Sequence, residues 1–215
     1  MYLSILLCLI LVIFPEIDIE TSRLFFSPEA GFKHKNHIIV VWIFRFIPNL
    51  TSAWIGILVL YVIYQIFRLK NKKEVIKLPA IFLIISALIG PGFVVNYVLK
   101  ENWGRARPNV ISEFGGEKRF HRAGVISDQC VSNCSFSSGH ASMGYYFTSF
   151  AWIVPIYLQN ITFVATFLFG TIVGVGRIAQ GGHFLSDVAF SFLIVTIVNY
   201  TSYSFWIYLK KKYKK

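Results

Sequence analysis

Three groupings in this sequence have the residue types and spacing to hold and cleave a phosphate ester. Lys100 is followed by six residues and then Arg107-Pro108. Ser137-Ser138-Gly139-His140 forms a second grouping. Arg177, five residues, His183, three residues and Asp187 form a third. A phosphate monoester carries close to two negative charges and needs cations around it. Arg offers a planar fork matched to phosphate oxygens, and Lys offers a point charge. Ser138 and Gly139 precede an apolar run. Backbone N–H groups at a helix start point towards an anion, and Gly lets the backbone approach closely. His183 and Asp187 are four apart and would share one helix face. A carboxylate on one ring nitrogen sets the tautomer of a His and prepares the other nitrogen as nucleophile or base. His140 is then free to act as an acid on the leaving oxygen.

The elements that must position these residues lie in a membrane. Of 215 residues, 55% are apolar or aromatic and only 14% are charged, against roughly 25% charged in a soluble domain. This composition excludes a disordered chain and a disulfide-dense secreted scaffold. A crossing helix needs about 20 mostly apolar residues. Charge-free runs place six spans at about 1–15, 51–67, 79–99, 141–158, 161–176 and 188–209. The turn between the fourth and fifth is expected at Pro155, Gln159 and Asn160, since a proline and two amides suit a hairpin. The first run lacks a basic leader and a small-residue cleavage site, so it reads as a retained helix rather than a signal peptide. The stretch His37 to Leu50 carries Arg45 and Pro48 and reads as a helix lying on the membrane surface. The chain is thus expected to be all-α, a single domain over 1–215 and a six-helix integral membrane bundle.

The chain carries 21 basic and 10 acidic residues, a formal net charge of +11. Arg68, Lys70, Lys72, Lys73 and Lys77 crowd one loop, and Lys210, Lys211, Lys212, Lys214 and Lys215 crowd the C-terminus. Both belong on the cytoplasmic side by the positive-inside rule. All three phosphate-directed groupings then fall at the outer ends of spans three to six. The outer segment from Lys100 to His140 is itself basic, against that rule, and local exceptions tend to mark function. Within it, Arg105 is expected to face solvent. The glycine-led basic loop Gly115 to Arg122, with Lys118, Arg119 and Arg122, is expected to cover the site. Cys130 and Cys134 are a possible disulfide if that face is oxidising, and Cys8 reads as span packing. No motif for nucleic acid is present, no protein partner is evident, and no carboxylate-rich cluster suggests a metal.

Taken together, Lys-x6-Arg-Pro, Ser-Gly-His and Arg-x5-His-x3-Asp resemble the three-part signature of the type 2 phosphatidic acid phosphatase superfamily of integral membrane lipid phosphatases. The motifs run from Lys100 to Asp187, and the six-span layout extends the resemblance over the whole chain. Two positions depart from the usual pattern. Ser137 stands where the family usually has Pro, and Gly176 stands where it usually has Ser, which removes a hydroxyl donor. The resemblance implies that His183 attacks phosphorus and becomes a phosphohistidine, that Asp187 orients it, and that His140 protonates the leaving alcohol. It implies that Lys100, Arg107, Arg177, Ser138 and the Gly139 amide hold the phosphoryl oxygens, with no metal or other cofactor.

Within that superfamily, the run Asn102 to Pro108 and the Cys-x3-Cys before Ser-Gly-His look most like bacterial lipid A phosphatases of the 4′ type. The implied setting is the bacterial inner membrane with the site facing the periplasm and a phosphorylated membrane lipid as substrate. Undecaprenyl pyrophosphate or phosphatidylglycerol phosphate are alternative substrates, and transfer of the phosphoryl group to another lipid is an alternative outcome. In a different class, the basic outer face could serve an anion transporter. The ionisable groups sit at span mouths rather than at the midplane, which disfavours transport.

Overall fold

The computed structural model describes residues 1–71 and 73–213. Lys72, Lys214 and Lys215, which were counted in the basic loops, lie outside the described residues. The chain is mostly helical. α1 (Tyr2–Ile13) and α2 (Glu16–Arg23) are bent by 91° at Pro15. A two-residue hairpin, β1 (Phe26–Ser27) and β2 (Gly31–Phe32), follows. Next come α3 (Ile38–Arg68), the short α4 (Lys73–Ile76) and α5 (Pro79–Ala87). α5 continues as a π-helical segment, Leu88–Leu99, into α6 (Lys100–Asn102). After a long loop come α7 (Gly139–Tyr146) with a 3-10 extension Phe147–Trp152, then α8 (Ile156–Ala179) and α9 (Leu185–Lys212).

Among the described residues, four helices are long and apolar enough to cross a membrane: Ile38–Arg68, Pro79–Asn102, Ile156–Ala179 and Leu185–Lys212. The bent pair α1 and α2 would make a fifth. Two boundaries differ from the sequence reading. His37 to Leu50 is not a separate surface helix, because α3 runs unbroken from Ile38 to Arg68 with Pro48 inside it. Thr51 supports that passage by donating its hydroxyl to the Ile47 carbonyl at 2.9 Å. The α7–α8 turn is tighter than expected and lies at Ile153 to Pro155. Gln159 and Asn160 sit in the first turns of α8, near the free N–H groups that favour polar neighbours.

The bundle centre is built from small residues. Ser138 caps α7, its hydroxyl accepting from the Ala141 N–H at 3.4 Å. A Cβ on Gly144 would lie 2.9 Å from Gly170 Cα, so α7 and α8 cross almost backbone to backbone. Such crossings suit helices in lipid, where close packing replaces the hydrophobic drive. The Arg68-to-Lys77 loop and the end of α9 meet at one end, where Trp206 donates to the Ile76 carbonyl at 3.1 Å. Lys100, Ser138, Arg177 and His183 gather at the other ends of the same helices. There the β-hairpin forms an aromatic cap. Phe26 and Phe32 pack on Phe114 with ring centroids 5.0 and 5.3 Å away.

Candidate active site

α8 ends at Ala179, two residues after Arg177. Gly181 follows with a positive φ of +66°, a conformation that favours Gly. The N–H of Gly182 returns to the Arg177 carbonyl at 3.0 Å. A Cβ on Gly182 would lie 2.5 Å from an Arg177 guanidinium nitrogen. This turn delivers His183 into the bundle just before α9 begins, and the side chain is fully buried.

The His183 ring has a defined tautomer. Nδ1 lies 2.8 Å from the Ser135 carbonyl, which can only accept, so Nδ1 carries the proton. Nε2 then presents its lone pair, and this buried atom has no hydrogen-bond partner. Burial is the main cause that pushes the His183 pKa down to about 3, partly opposed by the nearby Asp187 carboxylate. The imidazole is therefore neutral at physiological pH.

Asp187 sits one step further back than the spacing predicts. Its Oδ2 is 3.7 Å from His183 Nδ1. His183 lies before the helix, so an i, i+4 helical pair cannot form. The carboxylate instead folds back to cap α9. Oδ2 accepts from the Phe184 N–H at 2.8 Å and from the Ser135 hydroxyl at 2.6 Å. Oδ1 accepts from Arg105 at 2.6 Å. Asp187 thus fixes Ser135, whose carbonyl holds the ring.

Arg105 overturns its sequence expectation. It is fully buried and does not face solvent. It is paired with Asp187 at 2.6 Å and with Asp18 of α2 at 2.8 Å. It also donates to Ser186 Oγ and to the His121 carbonyl, each at 2.8 Å. Its guanidinium lies over the Phe184 ring, 4.3 Å from the centroid. Asp18 further accepts from the Ser186 N–H at 2.8 Å. Nothing local in the acidic run after α1 distinguishes Asp18 from Glu16 and Glu20. Only the bend between α1 and α2 brings it here.

Two cations of the first grouping meet on one residue. Lys100 Nζ donates to Asn133 Oδ1 at 2.5 Å, and Arg107 donates to the Asn133 carbonyl at 2.7 Å. Asn133 has a positive φ of 50° and lies inside the loop closed by the Cys130–Cys134 disulfide, whose Cα atoms are 5.6 Å apart. Lys100 is also close enough to Arg107 and Arg177 for their charges to repel one another. An anion bound among them would offset that repulsion.

His140, at the start of α7, rests against Phe44 of α3. Its ring stacks on Phe44 with centroids 4.6 Å apart, and Nε2 lies 3.0 Å from the Phe44 carbonyl. That carbonyl is available because residue 48, four positions on, is a proline with no N–H to donate. The other face of this arrangement is Arg177, whose guanidinium lies 4.6 Å from the Phe44 ring centroid. Arg177 also donates to the Gln180 side chain. Phe44 and Pro48 fall in the stretch read as a surface helix, which is why sequence reasoning missed them.

Gly139 is required by close approach, since a Cβ there would lie 2.4 Å from Asn96 Oδ1. Gly176 has open space, with Val40 the nearest side chain at 3.9 Å. Ser137 is fully buried and its hydroxyl has no partner, and Arg177 Nε likewise has none. Buried donors without partners are rare in native proteins. Here two of them, with His183 Nε2, belong to the groupings singled out above. The loop Gly115 to Arg122 touches the site through the His121 carbonyl and through Phe120, 5.2 Å from Phe184. Its cations Lys118, Arg119 and Arg122 are exposed rather than turned onto the site residues. Among the described residues no group of three or more His, Cys, Asp or Glu side chains is placed to hold a metal ion.

The family model of the PAP2 superfamily matches residues 78–211. A lipid A 4′-phosphatase of Francisella tularensis subsp. novicida (strain U112) is 38% identical over 94% of this chain and 91% of its own length. Lipid A 4′-phosphatases of Rhizobium leguminosarum and Rhizobium etli are 38% and 37% identical, each over 53% of this chain. Those two matches cover 48% and 44% of the Rhizobium proteins. No solved structure gives a significant match. With its helices apolar enough to cross a membrane, the chain belongs to the PAP2 superfamily and is a phosphoric monoester hydrolase acting on lipid.

Proposed function

We propose that this enzyme removes a phosphate monoester from lipid A, at the 4′ position, through a phosphohistidine intermediate and without a metal ion. The observation that carries the mechanism is the buried, unpartnered Nε2 of His183, whose lone pair is set by the Nδ1–H bond to Ser135. The substrate is supported by the name of the relative that matches 94% of this chain. Lys100, Arg107 and Arg177, with Ser138 and the Gly139 N–H, hold the phosphoryl oxygens as charge spreads over them in the transition state.

His183 Nε2 attacks phosphorus. The bond to the lipid oxygen breaks, and its electron pair leaves with that oxygen, which takes a proton from His140. The ring becomes cationic as the N–P bond forms. Asp187, at 3.7 Å, and the Ser135 carbonyl stabilise that charge. Water then attacks phosphorus and gives a proton to His140. The P–N bond breaks, releasing inorganic phosphate and neutral His183. Protonated His140 keeps its bond to the Phe44 carbonyl and uses its other nitrogen for these transfers.

The Phe44 bond makes a prediction at Pro48. Pro48→Ala restores an N–H that competes for the Phe44 carbonyl. It also relieves a proline in a helix interior, which costs about 3 kcal/mol. The variant should melt higher yet turn over about tenfold more slowly, a fraction of what a general acid contributes. A higher melting temperature with unchanged kcat would show that the Phe44 carbonyl does not position His140.

The membrane arrangement proposed is six crossings, with α1 and the α7 segment added to the four long helices, and a site facing the periplasm of a bacterial inner membrane. The Cys130–Cys134 disulfide supports an oxidising side. The opposite placement of the basic α3–α5 loop supports it too. The decisive experiment is phosphate release by purified protein in detergent with EDTA present. The panel would hold lipid A, phosphatidylglycerol phosphate, phosphatidic acid and undecaprenyl pyrophosphate. We expect fastest release from lipid A, with mass spectrometry locating the loss at the 4′ position. Preference for another lipid would reassign the substrate. Release abolished by EDTA would overturn the metal-free mechanism, and transfer to an added lipid alcohol without free phosphate would make the enzyme a transferase.

A further inference from the structure

Arg177 has a second side. A cavity of about 260 Å³ opens beside it, lined by Lys35, Asn36, Phe44, Arg45 and Gln180 as well as Arg177 itself. Its walls come from three places. Lys35 and Asn36 follow the β-hairpin, Phe44 and Arg45 lie on α3, and Arg177 and Gln180 end α8. Gln180 ties them together, accepting from Arg177 and reaching the Lys35 carbonyl with its Nε2 at 3.5 Å. Lys35 and Arg45 are exposed, so they are free to move onto a ligand. No carboxylate lines the cavity.

We infer that this cavity is a second anion subsite, which binds another negatively charged group on the same lipid whose phosphate is cleaved. The inference rests on the lipid phosphatase reading above and narrows its substrate class to lipids bearing two anionic groups. Three cations around one cavity repel one another, and an anion offsets that repulsion. A guanidinium and an ammonium together suit a phosphate or a carboxylate. The shared Arg177 puts the second group within one side chain of the scissile phosphate. Lys35 and Arg45 lie outside the set of residues that hold the scissile phosphate and its nucleophile, so they would act on affinity rather than on chemistry.

The competing source of negative charge is the surrounding membrane. Exposed basic side chains near a bilayer surface bind anionic headgroups of any kind. The two sources separate in neutral detergent micelles, which offer no other anion. The test compares lipid A carrying both phosphates with lipid A lacking only the phosphate at position 1. Wild-type and Lys35→Ala/Arg45→Ala protein would be measured by equilibrium binding, in a His183→Ala background that does not depend on turnover, and by kcat and KM in the active background.

We expect the double substitution to weaken binding of the doubly phosphorylated lipid about tenfold, on the scale of about 1.4 kcal/mol per tenfold change. Binding of the singly phosphorylated lipid should be unchanged, and kcat should be unchanged for both. Equal weakening for the two lipids, or no change for either, would overturn the subsite. So would a difference that appears only in vesicles containing phosphatidylglycerol. Absence of phosphate release from any lipid by the wild type would sink the phosphatase reading instead, while the binding comparison would still decide the subsite.

Discussion

His183→Ala protein will fold and insert normally and will release phosphate at least about 10⁴-fold more slowly than the wild type, on the scale seen when an enzyme loses its covalent nucleophile. His183 is fully buried, so its replacement leaves a small cavity, but its only close polar bond is to the Ser135 carbonyl. Ser135 itself stays anchored, through its N–H to the Arg105 carbonyl at 2.8 Å and its hydroxyl to Asp187. The loss should therefore fall on kcat and not on assembly. In the wild type, rapid quenching with a labelled substrate should trap phosphate on His183. That adduct should be stable in base and lost in acid, as a phosphoramidate is. Residual activity within about tenfold of wild type, or label found on another residue, would remove His183 from the nucleophile's role.

Arg105→Met should be the most damaging substitution outside the residues that touch phosphate. Breaking a buried ion pair by removing one partner costs about 3–5 kcal/mol, because the remaining charge is left buried. Here one guanidinium serves two buried carboxylates, Asp18 and Asp187. The melting temperature should fall by about 10 °C, given about 2–4 °C per kcal/mol for a chain of this size. Activity at a temperature well below the transition should also fall, by about 10² or more, since Asp187 would no longer hold Ser135 in place. Asp18→Asn keeps the hydrogen-bonding shape and leaves Arg105 paired with Asp187, so it should retain more activity than Arg105→Met. Wild-type melting and activity in Arg105→Met would mean that the guanidinium lies in solvent.

The residues of the candidate site and the helical membrane character were legible in the sequence. His183, His140, Lys100, Arg107 and Arg177 were singled out by residue type and spacing. The helical membrane character followed from long runs without charge. These features are local. A span is recognised by its own composition, and a phosphate site announces itself through cations at unusual places.

The support for those residues was not legible, because it comes from segments far apart in sequence. Asp18 looked like one of three acids ending a first span, and Arg105 like a loop cation beside a more important one. Burial joined them, since neither charge is tolerable alone in a low-dielectric interior. The stretch around Phe44 looked apolar but too short to cross a membrane, and it carried Arg45 and Pro48. Its continuation into α3 turned Pro48 from a breaker into the residue that frees a carbonyl for His140. The orientation of His183 was assigned to Asp187 by spacing, yet the Ser135 carbonyl makes the bond because the helix starts after the histidine. The sequence by itself determined which side chains could perform phosphoryl chemistry and that a membrane surrounds them. Tertiary structure alone decided which buried charges neutralise one another and which backbone carbonyls orient the two imidazoles, because both depend on desolvation and contact between distant segments.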